Sequence, residues 1–86
     1  MGRKTPLRYR DLRAILKRFG ISEDKSRGKG SERMFVGVVA GRTVRYPTKC
    51  HNEGDVKPVP VINAIRRHFH LTEADGVSDD RFYGRE

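Results

Sequence analysis

The sequence predicts a small α+β fold in the order helix, strand, strand, strand, helix, with both helices on one face of a three-stranded antiparallel sheet. Three observations predict it. Apolar residues recur at steps of three and four near the start and again around residues 59–69; short β-branched and aromatic runs lie between; Gly or Pro stands where the period changes. A chain of 86 residues forms one domain that buries roughly 60–65% of its unfolded surface. Stacking both helices on one sheet face is the economical way to cover it.

From Arg8 to Phe19, Tyr9, Leu12, Ile15, Leu16 and Phe19 fall on one face and Arg10, Asp11, Arg13, Lys17 and Arg18 on the other, the pattern of an amphipathic helix. Thr5-Pro6 suits its start and Gly20 its stop. Ile21 to Lys25 offers a short polar first strand with Ile21 its only strong β-former. Met34 to Val39 is apolar on both parities, which predicts a strand covered on both faces or lying at an interface. Ala40-Gly41 is the expected hairpin turn, Thr43 to Tyr46 resumes the strand, and Pro47 is expected to end it. The polar stretch Thr48 to Pro58 reads as a loop. A second helix is expected from Val59 or Pro60 to Phe69, burying Val61 or Ile62, Ile65 and Phe69, with Arg66 and Arg67 outward and His68 and His70 at the negative pole of the helix. The order defines a domain over residues 1–71, followed by an acidic tail, 72–86. With few large apolar residues the tail is expected to be loosely held, with Phe82 and Tyr83 as a docking patch.

Charge narrows the choice of partner. The formal net charge is +8, but residues 1–71 carry 17 basic against 6 acidic side chains and residues 72–86 carry 2 against 5. A basic body of this size favours a polyanion. Nucleic acid is preferred to membrane, because no basic amphipathic stretch carries the apolar face that interfacial insertion needs, and no run reaches spanning length. The single Cys50 can form no intramolecular disulfide, and no N-terminal apolar segment follows the basic start, so a reducing cytoplasmic setting is expected. Pro6 occupies the position where a myristoylation signal has Ser or Thr. Cys50-His51 and the distant His68 and His70 lack the paired spacing of a zinc site. Gly28-Lys29-Gly30-Ser31 lacks the spacing of a nucleotide-binding P-loop. No metal or cofactor is expected.

The segment most suited to a phosphate backbone is Arg27-Gly28-Lys29-Gly30-Ser31-Glu32-Arg33. Glycines let the main chain approach a ligand with its N–H groups, and Arg27, Lys29 and Arg33 supply the opposite charge. Glu32 is the one carboxylate among them.

The same segment carries a family resemblance. Over roughly Tyr9 to Leu71 the chain resembles the HicA-type toxins of bacterial toxin–antitoxin pairs: Tyr9-Arg10-Asp11-Leu12 opens the helix, Lys17-Arg18-Phe19-Gly20 ends it, and Lys29-Gly30-Ser31-Glu32 precedes the apolar strand where the family has Lys-Gly-Ser-His. Tyr46-Pro47, His51-Asn52, Asp55-Val56 and Lys57-Pro58 follow in the family's order. The resemblance implies a fold like the double-stranded-RNA-binding domain, metal-independent endoribonuclease action on mRNA, and a cognate antitoxin of the HicB type. It also makes position 32 the catalytic position, here Glu instead of His. Imidazole titrates near 6.5 and a glutamate near 4.3, so a carboxylate can take the 2′-hydroxyl proton but is poorly suited to return one to the leaving oxygen.

Glu32 is therefore read three ways: a solvated strand-edge residue, a surviving catalytic base, or a contact to a partner protein. His51 is the candidate replacement acid or RNA contact, against a surface loop histidine. Arg27, Gly28, Lys29, Gly30, Ser31 and Arg33 are the expected RNA-binding residues. Arg8, Arg10, Arg13, Lys17, Arg18, Lys57, Arg66 and Arg67 widen the footprint by meeting phosphates and 2′-hydroxyls through shape. A non-catalytic RNA- or protein-binding module, a duplex-DNA binder and a homodimer formed through the Met34–Val39 strand are the alternatives.

Overall fold

The computed structural model describes residues 4–24 and 32–85. Their order is β1 (Leu7–Arg8), α1 (Tyr9–Arg18), β2 (Ser22–Asp24), β3 (Glu32–Val39), β4 (Arg42–Lys49), β5 (Val56–Lys57), α2 (Val59–His68), a 3₁₀ turn (Glu73–Asp75) and α3 (Asp79–Tyr83). Strands β2, β3 and β4 form an antiparallel sheet in that order, and β1 and β5 make a separate two-residue ladder. This is the expected α-β-β-β-α arrangement, like that of the double-stranded-RNA-binding domain, with additions at both ends. Among the described residues no helix is long and apolar enough to cross a membrane.

Helix α1 buries Tyr9, Leu12, Ile15 and Leu16, the stripe its spacing requires. It ends as a Schellman motif. Gly20 takes φ +81°, its N–H donates to the Lys17 carbonyl, and the Ile21 N–H reaches back to Leu16. Helix α2 closes with the same hydrogen bonds, His70 N–H to Arg67 and Leu71 N–H to Arg66. There the left-handed position falls on His70 at φ 56°, so His70 forms the helix stop as well as lying near its negative pole.

Both helices cover the face of β3 that carries Phe35 and Gly37. Tyr9 stacks on Phe35 with ring centroids 5.7 Å apart. Gly37 faces Ile21 and Phe69 so closely that a Cβ would lie 2.8 Å from Ile21 Cγ1. The opposite face is open, so the described residues do not cover Met34–Val39 on both faces. Met34 and Val36 are half-buried there and Val38 is 71% exposed, so no layer covers this side among the described residues. The turn at Ala40-Gly41, with φ 51° and 79°, is the primed type that matches strand twist.

Four expectations are corrected. Strand β4 runs through Pro47 to Lys49, with Pro47 opposite Met34; β4 is an edge strand, where a missing N–H is tolerated. Its carbonyls at Arg45 and Lys49 accept from His68 Nε2 (2.6 Å) and Lys57 Nζ (2.6 Å). The loop after it contains β5, whose pairing with β1 a two-residue match cannot announce. Arg66 is buried, 3% exposed, because its guanidinium meets Leu71 O, Val77 O and Asp79 Oδ1 at 2.7–3.0 Å. Finally, residues 72–85 fold back onto the body. Phe82 is fully buried against Phe19, with ring centroids 5.8 Å apart, while the Tyr83 hydroxyl donates to Thr5 O and Asp79 pairs with Lys4. Phe82 and Tyr83 thus pack residues 72–85 against the body instead of leaving them as a separate tail.

Candidate nucleic-acid interface

Of the expected RNA-binding residues, Arg27, Gly28, Lys29, Gly30 and Ser31 lie outside the described residues. Glu32 and Arg33 open β3, and the strand's two-residue period separates them. Glu32 is exposed and sits opposite Lys49, while Arg33 sits opposite Thr48 and is half-buried. The Arg33 guanidinium turns to the helix-covered side, where its Nε is 3.7 Å from Glu23 Oε2, and its Nη1 donates to the Glu32 carbonyl at 2.8 Å. Neighbours in the chain, the two side chains serve opposite faces of the sheet.

His51 is exposed in the turn that follows β4. That turn is built locally: Asp55 accepts from the Asn52 N–H (3.0 Å) and the Asn52 amide oxygen from the Gly54 N–H (2.8 Å). Its carbonyls at Asp55 and Glu53 accept from the N–H groups of Tyr9 (2.7 Å) and Arg10 (3.1 Å), filling donors that every helix start leaves open. Neither Glu32 nor His51 makes a side-chain hydrogen bond or ion pair among the described residues.

Between these two places lies a cluster that sequence reading did not identify. The Glu23 side chain, 6% exposed, accepts from the Tyr9 hydroxyl on α1 and from Arg13 Nη1 at 3.3 Å. Arg13 in turn grips Glu53 through both terminal nitrogens. Lys57 Nζ and Arg13 Cζ lie 5.9 and 5.7 Å from the Tyr9 ring centroid. The one signal for Glu23 in the sequence is parity, since it shares a strand face with Ile21.

The cluster is ill suited to acid–base work. Burial, reinforced by the Glu23 carboxylate, holds the Tyr9 phenol protonated far above its ordinary range. Burial likewise pushes the nearby Cys50 thiol up, away from the thiolate a nucleophile needs. What the cluster can do is fix geometry. Among the described residues no three of His, Cys, Asp and Glu converge as metal ligands.

Charge is distributed to one effect. Glu23 and Glu53 are tied to Arg13, Asp79 to Arg66 and Lys4, and Asp80 to Arg85. The side chains of Asp55 and Asp75 accept local hydrogen bonds. Arg8, Arg10, Lys17, Arg42, Arg45, Lys49 and Arg67 are exposed, and no ion pair engages them among the described residues. A groove of about 420 Å³ runs between α1 and β2, lined by Arg10, Arg13 and Lys17 on one helical stripe and by Ser22 and Glu23.

Comparison with protein-family models, with curated proteins and with solved structures finds no match for this chain.

Proposed function

We propose that this chain is an RNA-binding domain of the HicA toxin kind, acting on mRNA in the cytoplasm and held by a cognate antitoxin of the HicB kind. One observation supports the reading most: Glu23, Glu53, Asp79 and Asp80 are engaged in internal ion pairs while Arg8, Arg10, Lys17, Arg42, Arg45 and Lys49 face solvent. Such a surface meets regularly spaced phosphates without reading bases. Cleavage, the activity the resemblance implies, is slow in this reading, because a carboxylate at position 32 serves as base but poorly as acid.

A second reading, an RNA-binding module without cleavage, is favoured by the strand geometry. Arg33 turns to Glu23 on the opposite face, so its guanidinium is withdrawn from Glu32, and among the described residues Lys49, opposite on the ladder, is left on that side to meet a developing phosphorane charge.

Two measurements test this. Binding of the purified chain to duplex RNA, followed by fluorescence anisotropy across salt concentrations, should fall with a log–log slope of about −4 or steeper, equivalent to four or five phosphates. It should exceed binding to the matched DNA duplex; a slope near zero overturns the RNA assignment. Cleavage of labelled mRNA in the presence of EDTA separates the two readings. The first expects slow cleavage, lost in Glu32→Gln and raised on the order of 100-fold in Glu32→His; the second expects no product from wild type.

A further inference from the structure

The geometry points to Glu23 as a positioning residue that holds the start of β3 and the His51 turn in one arrangement against α1; this rests on the RNA-binding reading. The chain leaves β2 at Asp24 and returns at Glu32, so Glu23 and Arg33 stand just inside the two ends of the 25–31 segment. Their side chains meet across the stem at 3.7 Å. The same carboxylate accepts from Tyr9 and Arg13 on α1, and Arg13 passes the connection to Glu53. Glu53 belongs to the turn that contains His51 and supplies carbonyls to the first N–H groups of α1.

One buried carboxylate therefore joins three elements. Arg33 fixes the start of β3, Tyr9 fixes the carboxylate to the helix, and Arg13 carries the link to the His51 turn. The alternative roles make opposite predictions about charge. If Glu23 merely lined the groove beneath Arg10, Arg13 and Lys17, removing its charge would reduce repulsion and tighten RNA binding. A positioning role predicts weaker binding, since the cations it aligns lose their placement.

The test uses Glu23→Gln and Glu53→Gln, with Ile62→Val as a core control on α2 that removes none of the cluster's hydrogen bonds. In free Glu23→Gln protein, amide exchange at Tyr9, Arg10, Asp55 and Met34 should accelerate about tenfold or more beyond the control, the effect of one charge-assisted hydrogen bond. RNA affinity should fall about tenfold despite the added positive charge. Glu53 is 49% exposed, so Glu53→Gln should leave the fold intact and accelerate exchange at Tyr9, Arg10 and Asp55 while Met34 stays protected. Exchange indistinguishable from Ile62→Val, or RNA binding that tightens in Glu23→Gln, overturns the inference. If wild type binds no RNA, the function reading falls alone, and the exchange measurements still decide whether Glu23 couples the start of β3 to the His51 turn.

Discussion

Phe82→Ala should lower the unfolding free energy by about 3–5 kcal/mol, the range for truncating a fully buried aromatic side chain. Phe82 has no exposed surface, stacks on Phe19, meets Tyr83 edge-on at 5.3 Å and lies 4.7 Å beneath the Arg66 guanidinium. Helix α3 is five residues long, far below the length at which a helix is stable alone, so its order depends on this anchor. Loss of the ring should therefore also free the Tyr83–Thr5 contact and expose residues 72–85 to protease. Urea denaturation with limited proteolysis measures both. A loss under about 1 kcal/mol would mean that the site collapses around the gap or that the tail contributes little.

Arg66→Met should cost roughly 2–4 kcal/mol, because it keeps the volume but strips three acceptors of a charged donor. Arg66 is 3% exposed and Asp79 12%, so solvent replaces the lost bonds poorly. The pair also predicts a pH dependence. The hydrogen bond from Arg66, ahead of Lys4, holds the Asp79 carboxyl below its ordinary value. A carboxylate lowered in the folded state contributes stability that is complete above its unfolded value, near 3.9, and is lost as pH falls through the folded one. The gap in stability between wild type and Asp79→Asn should thus be full at pH 6 and shrink below about pH 4. A gap that stays constant down to pH 2 would show that Asp79 is not ionised in the pair.

Both effects lie in the part of the chain that sequence patterning described least well. The helices and the hairpin were legible because each carries its own signal: the period of Tyr9, Leu12, Ile15 and Leu16, the apolar run of β3, the glycine after Ala40. The tail carries one large buried residue, and one residue has no period. Its order comes from Phe19 and Arg66, far away in sequence. Arg66 reads outward by pattern because arginine usually is, yet the reversal after α2 supplies two carbonyls and Asp79 within reach of its planar fork. At the candidate interface, the position of Glu32 at the start of β3 was legible. That Arg33 would desert it was not obvious until the pleat was placed, although alternation required it. Glu23 looked like any polar residue of a weak strand, since nothing local marks a carboxylate that a phenol and two guanidiniums enclose.

The outer margin of β4 has a consequence for self-association. With the Arg45 and Lys49 carbonyls capped by His68 and Lys57 and Pro47 offering no donor, this rim is a poor template for a fourth strand. Two copies of the chain meeting along β4 would find two acceptors already taken and one donor missing, and would bring Arg42, Arg45 and Lys49 together with their own kind. The open side bearing Met34, Val36 and Val38 is the apolar surface that pairing along β4 would not use.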